Sequence, residues 1–120
     1  MRVCEEITRF ILNNAGLTYD FKKIRHKLDA AIKGLPDKLT LIDKRDSLKD
    51  IGKDICVNEL NRCDYRDIFL ANIQRAKESM RVLEEFSKLI DKKAALNFKK
   101  LRYSLYETEK TAVKIIFSAK

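Results

Sequence analysis

The chain has 120 residues, of which 45% are hydrophobic and 37% charged, and its formal net charge is +8 with an isoelectric point near 9.5. This length suits one domain with a hydrophobic core, and three glycines and one proline are too few for the many turns of a sandwich or barrel. The sequence has no apolar run long enough to cross a membrane, and its basic charge favours anionic partners such as nucleic acid, nucleotides or phosphorylated metabolites.

The cysteines indicate a reducing compartment. Cys4, Cys56 and Cys63 are odd in number and show no C-x-x-C spacing, and His26 is the only histidine. A zinc site is therefore not expected. We expect the three cysteines to be reduced, small, buried hydrophobic residues, which is typical of a cytoplasmic protein.

The first eleven residues, MRVCEEITRFI, return at positions 80–90 as MRVLEEFSKLI. After a connection that is two residues shorter in the second copy, DFKKIRH at 20–26 is matched by NFKKLRY at 97–103. Each copy is predicted to be a helix, a short connection and a second helix. Apolar residues with helical spacing support the second helix of the first copy, at Phe21, Ile24, Leu28, Ala31 and Leu35.

A connection over about 36–63 separates the two copies. It begins at Pro36, which disfavours a helical conformation in the residue before it. The segment LTLI at 39–42 is predicted to be a short extended piece. A connection of this length without a long helix is either disordered or functional. We expect a functional one, because its apolar residues are able to pack onto the helices.

The second copy, about 64–118, begins with a long helix that Asp64 or Asn61 can cap. Its two helices carry apolar seams of the same helical spacing, at Phe69, Ile73, Ala76, Met80, Leu83, Ser87 and Ile90, and at Ala94, Phe98, Leu101, Leu105, Thr108, Ala112 and Ile115. Together with the first copy, about 1–35, this pattern predicts one all-α domain over 1–120. We expect a helical bundle made of two pseudo-repeated helical hairpins with an irregular central connection.

The repeat also bears on the start of the chain. Met1 corresponds to Met80, which lies inside the long helix of the second copy. The first copy therefore lacks a counterpart to the front half of that helix, which begins near Ile68. We expect the coding sequence to continue upstream of the Met1 codon and to encode that missing half.

Polar residues on the long helix are the first candidates for a site. Asn72 lies on or beside the apolar seam, where it could hold a ligand or metal-bound water, or fix the register of the helix. One flank of the helix carries the charged residues Arg75, Glu78, Arg81 and Glu85. Ordinary salt bridges within the helix account for them as well as binding of a ligand would. Reuse of charged positions in the first copy favours phosphate binding, since a guanidinium binds two oxygens at once; Arg81 recurs as Arg2, Glu85 as Glu6 and Arg102 as Arg25.

Taken in order, these motifs resemble a known family. It is the helical domain often fused ahead of thiamine phosphate synthase in bacteria and regarded as a hydroxymethylpyrimidine phosphate kinase. Its helix pattern N-x-x-R-x-x-E-x-x-R-x-L-E-E/D, followed by L-R-x-x-L/Y, is matched by Asn72, Arg75, Glu78, Arg81, Leu83, Glu84, Glu85, Leu101 and Arg102. Its loop pattern R-D-x-x-x-D-x-G is matched by Arg45, Asp46, Asp50 and Gly52, although Lys53 stands where the family has a small hydroxyl residue.

The resemblance implies a phosphotransferase of thiamine biosynthesis that uses ATP and Mg²⁺ to convert hydroxymethylpyrimidine phosphate to its diphosphate. The implied catalytic residues are Arg45, Arg81 and Glu85, and the implied magnesium ligands are Asp46 and Asp50. Substrate and phosphate binding are implied for Asn72, Arg75, Arg102, Arg2, Arg25 and Gly52. The partners implied are a phosphorylated pyrimidine, a nucleotide and thiamine phosphate synthase. Because a small bundle offers little concavity, we also expect a homodimer with the pocket near its interface.

Two other readings remain. A non-catalytic helical domain that associates with thiamine phosphate synthase would show an exposed apolar patch, with its arginines engaged only in intrahelical salt bridges. A basic nucleic-acid-binding bundle would carry Lys and Arg along one face with stacking aromatics. The arginines of this chain alternate with glutamates on the same flank, so the nucleic-acid reading is the least favoured.

Overall fold

A computed structural model describes residues 1–35, 48–50, 52 and 60–118 of the chain. Regular structure in these ranges is helical throughout, which confirms the predicted all-α fold. Helix α1 spans Arg2–Glu6 and continues as a π-helical turn over Ile7–Ile11; α2 spans Ala15–Lys33, α3 Tyr65–Ser87 and α4 Lys92–Ser118. None of the described helices is both long and apolar enough to span a membrane.

Short polar side chains fix where the long helices begin. The Asn14 side chain accepts a hydrogen bond from the backbone N–H of Leu17 at 2.9 Å and so caps α2. Asp64 accepts from the backbone N–H groups of Arg66 and Asp67 and caps α3, so of the two predicted caps it is Asp64 that acts. Such caps satisfy backbone donors that have no partner inside the helix.

The core lies where all four helices meet. Phe21 of α2 meets Phe69 of α3 edge to face, with ring centroids 6.1 Å apart, and burying each such side chain contributes about 1.5–3 kcal/mol. The predicted seam residues are mostly buried, and the fully buried ones include Phe21, Phe69, Phe98, Met80, Leu105 and Ala112. Ile90 was wrongly placed in the seam: it is 59% exposed, because α3 ends at Ser87 and the chain turns away.

The helices pair both within and between the two copies. Within them, α1 packs on α2 and α3 packs on α4; between them, α2 packs on α4 and α1 on α3. The second helix of one hairpin thus faces the second helix of the other, as a pseudo-twofold repeat requires. The hairpins differ at the end of their first helix, where the first copy has the π-helical turn over Ile7–Ile11.

The cysteines only partly follow the prediction. Cys4 is completely buried in α1 and its thiol contacts the carbonyl oxygen of Phe69 at 3.8 Å. Burial raises the pKa of Cys4 to about 11, so this thiol stays protonated at neutral pH. Cys63 is exposed rather than buried, since it precedes the cap of α3 on the surface. Cys56, Pro36 and the LTLI segment at 39–42 lie outside the described residues.

Candidate functional site

An ion pair with a buried glutamate ties the two helices of each hairpin together. In the second hairpin, Oε1 of Glu84 accepts from Nε of Arg102 at 3.0 Å and lies 2.9 Å from its Nη2. In the first hairpin, Oε1 of Glu5 accepts from Nε of Arg25 at 2.9 Å. Glu5 and Glu84 are equivalent positions of the repeat, as are Arg25 and Arg102. The same cross-helix pair therefore occurs twice.

An exposed arginine completes each pair on the outside. Arg81 contacts Glu84 through Nη1 and Glu85 through Nη2, each at 3.0 Å. In the first hairpin, Nε of Arg2 lies 3.2 Å from Glu6 and 3.9 Å from Glu5. We call these two groups the Glu–Arg clusters: Arg81, Glu84, Glu85 and Arg102 in one hairpin, and Arg2, Glu5, Glu6 and Arg25 in the other.

Local hydrogen bonds hold the second cluster in its charged state. Nη1 of Arg102 donates to the Tyr106 hydroxyl at 2.8 Å, and this bond, with Glu84, raises the pKa of Arg102. Lys88 donates to Glu85 at 2.9 Å and is the main cause of a lowered pKa for Glu85. Both side chains therefore remain ionised at neutral pH, and the cluster presents a fixed pattern of charge.

In the first cluster, the Glu5–Arg25 pair makes the stability of the fold depend on pH in the acidic range. The hydrogen bond from Arg25 lowers the pKa of Glu5 below its ordinary value of about 4.3. Because the folded state binds this proton less readily, the stabilisation is present above that value and is lost as the pH falls below it. We expect the melting temperature to fall more steeply from about pH 5 to pH 3 for the unaltered chain than for the double variant Glu5→Gln, Arg25→Met. Equal slopes in thermal melts at these pH values would contradict the assignment.

A second polar region lies on α3, next to the start of α1. A cavity of ≈ 190 Å³ is lined by Asn72, Arg75, Ser79 and Met1, with Leu28, Ala76, Met80 and Leu83. A shallower depression of ≈ 530 Å³ shares Arg75, Ser79 and Leu83 with it and extends to Glu78 and Val82. Asn72 and Arg75 are thus brought together as the sequence predicts.

Arg75 is the most available cation of this region. Among the arginines that the structure describes, Arg75 is the only one whose side chain has no hydrogen bond, ion pair or cation–π contact. Glu78 makes no ion pair with Arg75 among the described residues; it accepts a hydrogen bond from Gln74 at 3.1 Å. Asn72 donates through Nδ2 to the carbonyl of Ile68 in its own helix at 2.8 Å, and its side-chain oxygen has no hydrogen bond among the described residues.

The central connection contributes only two described candidates. The backbone N–H of Gly52 donates to Oδ1 of Asp50 at 2.8 Å, and both residues are exposed. Arg45 and Asp46 lie outside the described residues. Within the ranges that the structure covers, no three His, Cys, Asp or Glu side chains come together as a metal site. Of the two predicted magnesium ligands, Asp50 is the one that the structure describes, and it can offer one carboxylate. Mg²⁺ is often held by one or two carboxylates plus substrate phosphates.

Sequence reasoning missed the two most buried acidic residues among those that the structure describes. Glu5 and Glu84 are each 3% exposed, whereas the predicted Glu85 is exposed. The signal was present, because Glu84 lies one helical turn after the seam residue Met80 and is identical to Glu5 in the repeat. A charged residue that recurs at a seam position calls for a partner of opposite charge on the neighbouring helix.

Comparison with known proteins identifies the family of this bundle. The sequence model of the ThiD2 family matches residues 1–111 of the chain. The chain belongs to the ThiD2 family. Both Glu–Arg clusters and the cavity around Arg75 fall inside the matched range, so the ThiD2 match covers every described candidate residue.

This ThiD2 chain is also similar to part of several larger proteins. It is 34% identical over 109 residues to the thiamine-phosphate synthase of Rhodopirellula baltica, which covers 90% of this chain and 29% of that protein. It is 36% identical over 110 residues to the thiamine-phosphate synthase of Nostoc punctiforme, covering 91% of this chain and 30% of that protein. The thiamine-phosphate synthase of a Synechocystis strain is 34% identical over 110 residues. No solved structure matches the chain.

Those matches place the ThiD2 chain in the context of thiamine biosynthesis. The chain spans under a third of the length of these relatives, 29–31% of each. In each of the three, one polypeptide joins a ThiD2-like segment to a further region more than twice as long. In these relatives, the ThiD2-like segment is therefore covalently linked to the rest of a thiamine-phosphate synthase.

Proposed function

We propose that this chain phosphorylates hydroxymethylpyrimidine phosphate, with ATP as the donor, to give the diphosphate. The observation that carries the proposal is an unpaired guanidinium, that of Arg75, on a cavity in a chain of the ThiD2 family. Thiamine phosphate synthase consumes this diphosphate, and the relatives that bear that name contain a segment similar to this chain. A kinase of this kind would supply the substrate of the enzyme to which its relatives are joined.

The chemistry needs little beyond positioning and positive charge. The acceptor is a phosphate oxygen that already carries negative charge, so the transfer does not need a strong general base. In phosphoryl transfer, most of the catalysis comes from alignment and from stabilising charge on the equatorial oxygens. Arg75 supplies five N–H donors with no protein acceptor among the described residues. Asn72 and Ser79 line the same cavity and offer the polar contacts that a pyrimidine ring requires.

Arg81 and Arg102 would have different roles in this scheme. Arg81 is 54% exposed, and its contacts with Glu84 and Glu85 occupy only part of its donor fork. It is therefore able to contact a phosphate while the two glutamates hold it in place. Arg102 is buried and bonded to Glu84 and Tyr106, so we assign it to positioning Glu84 and, through it, Arg81.

The cofactors and the assembly are part of the same proposal. Asp46 and Asp50 would hold Mg²⁺, which would neutralise charge on the phosphates when bound. The cavity of ≈ 190 Å³ is smaller than the 300–1,000 Å³ typical of ligand pockets. A second copy of the chain in a homodimer, or the synthase, would supply the rest of the pocket wall. The first copy of the repeat supplies Arg2 and Arg25, the counterparts of Arg81 and Arg102.

A direct assay tests the kinase. The purified full-length chain is incubated with hydroxymethylpyrimidine phosphate, ATP and Mg²⁺, and the diphosphate is measured by mass spectrometry. We expect time-dependent formation of the diphosphate and an equal amount of ADP. Release of ADP without diphosphate, or neither product from a folded chain, would contradict the proposal. A reaction without the pyrimidine substrate serves as the control for ATP hydrolysis.

A non-catalytic domain that associates with the synthase is the second candidate. The observation in its favour is a run of exposed apolar side chains at the end of α3 and just after it, at Val82, Phe86, Leu89 and Ile90. Against it, Arg102 is bonded across helices and Arg75 has no described partner, whereas this candidate predicts arginines in intrahelical pairs. The kinase assay separates the two, since a non-catalytic domain forms no diphosphate.

A further inference from the structure

A groove between α2 and α4 is lined by lysines that the proposed kinase site does not use. It consists of two adjoining cavities, of ≈ 430 Å³ and ≈ 170 Å³, that share Lys27, Leu101 and Ser104. The larger cavity adds Ala30, Ala31, Asn97 and Lys100, and the smaller one adds Asp20, Lys23, Ile24 and Thr108. We call it the lysine groove, after Lys23, Lys27 and Lys100. It shares no residue with the cavity around Arg75.

The repeat relates the two cavities to each other. Every residue that lines the smaller cavity except Leu101 has a repeat counterpart in the larger one: Asp20 with Asn97, Lys23 with Lys100, Ile24 with Leu101, Lys27 with Ser104, Ser104 with Lys27, and Thr108 with Ala31. The repeat therefore relates most of one end of the groove to the other. The groove is thus a consequence of how α2 and α4 pair in the fold, although its two ends differ in volume.

The two ends differ in charge. Asp20 places a carboxylate in the smaller cavity, whereas its counterpart Asn97 places a neutral amide in the larger one. The larger cavity therefore has two lysines, Lys27 and Lys100, and no carboxylate among its lining residues. An anion is attracted more strongly to the larger end, because no fixed negative charge competes there.

The three lysines, all exposed, also have no carboxylate partner in the described ranges. None of Lys23, Lys27 and Lys100 lies within 4.0 Å of a carboxylate oxygen in the part of the chain that the structure describes. Like charges on facing helices repel each other unless an anion lies between them. Lysine ammonium groups bind phosphate as point charges, and Asn97 and Ser104 add an amide and a hydroxyl that donate hydrogen bonds to phosphate oxygens.

We propose that the lysine groove binds the phosphate chain of a small molecule, with two or more linked phosphates lying between Lys27 and Lys100. A chain of phosphates suits an elongated groove with positive charge at intervals, and ≈ 430 Å³ lies within the range of small-molecule sites. Single-stranded nucleic acid is the weaker fit, because no aromatic residue lines either cavity for a base to stack on. Binding here does not depend on turnover at the Arg75 cavity.

Calorimetric titration of the full chain with inorganic pyrophosphate and tripolyphosphate, without Mg²⁺, tests the groove. The test variant is Lys23→Gln, Lys27→Gln, Lys100→Gln. The control removes three exposed lysines that line no described cavity and make no described ion pair, Lys93→Gln, Lys110→Gln, Lys114→Gln. We expect the dissociation constant to rise at least tenfold in the test variant and about twofold in the control, since close charges act more strongly than screened distant ones.

Several outcomes would overturn the proposal. They are no binding of either anion, equal loss in the two triple variants, or binding of a single-stranded oligonucleotide in preference to tripolyphosphate. ATP is titrated as well, and tighter binding than tripolyphosphate would show that the source is a nucleotide rather than a free phosphate chain. If the test variant does not fold, amide NMR of the unaltered chain decides: pyrophosphate must shift the signals of Asn97 and Ser104, and shifts confined to other residues would refute the groove.

Discussion

Replacing Glu84 with alanine is expected to lower the free energy of unfolding by about 3–5 kcal/mol, because it leaves the buried charge of Arg102 without its partner. Arg102 is only 8% exposed and directs both Nε and Nη2 at Glu84. Loss of that carboxylate removes these contacts and leaves a guanidinium that little water reaches, with the Tyr106 hydroxyl as its remaining hydrogen-bond partner among the described residues. Domains of this size are stabilised by only about 5–15 kcal/mol in total. Chemical denaturation monitored by helical circular dichroism measures the effect.

The double variant Glu84→Leu, Arg102→Met is the matched control. It removes both charges and replaces them with apolar side chains, a change that is often neutral or stabilising for a buried pair. We therefore expect it to be clearly more stable than Glu84→Ala. The repeat offers a second comparison, because Glu5→Ala should cost less: Arg25 has a side chain 22% exposed and can recover some hydration. A Glu84→Ala variant as stable as the unaltered chain would show that the pair is not buried in solution.

Replacing Arg75 with alanine is expected to reduce formation of the diphosphate by about 100-fold or more, if the chain is the kinase proposed above. The reason is that the Arg75 side chain lines the cavity and has no protein partner among the described residues, so its N–H donors are available to phosphate oxygens. The same property predicts little change in stability, because the substitution breaks no described bond. Initial rates with hydroxymethylpyrimidine phosphate and ATP, set beside thermal melts, test both expectations.

Two variants sharpen the result. Arg75→Lys keeps the charge but loses the two-pronged geometry of the guanidinium, so it should recover only part of the rate. Arg9→Ala is the control, because Arg9 is an exposed arginine whose described contact is with the ring of Phe10, away from the cavity lining. Normal turnover of a folded Arg75→Ala protein would remove Arg75 from the site. Equal loss in Arg9→Ala would attribute the effect to net charge instead.

Much of the fold could be predicted from the sequence because its apolar residues have regular spacing. Phe69, Ile73 and Met80 recur at three or four residues, and a helix with that period can bury them only on one face. The internal repeat then predicts that the second hairpin copies the first. Asp64 adds the starting point of α3, since its short side chain caps backbone N–H groups.

The site was harder to predict because it depends on how the helices are rotated against each other. Helical spacing places Glu84 and not Glu85 one turn after Met80, but only the packing of α3 on α4 sets Glu84 against Arg102 and leaves Glu85 exposed. For the same reason, Arg75 and Arg81 both looked like partners of Glu78, whereas Gln74 binds Glu78 in the structure. The side-chain bonds that decide availability are local choices among near-equal alternatives, and sequence spacing does not rank them.

The pairing of neighbouring helices has a consequence for loop-closure entropy. Because α1 packs on α2 and α3 on α4, two of the four helix contacts close only a short connection. The contacts of α2 with α4 and of α1 with α3 are the ones that must close the long segment between Lys33 and Tyr65. Doubling the length of a flexible loop costs only about 0.6 kcal/mol. As far as chain entropy is concerned, a longer segment here would therefore cost the bundle little stability.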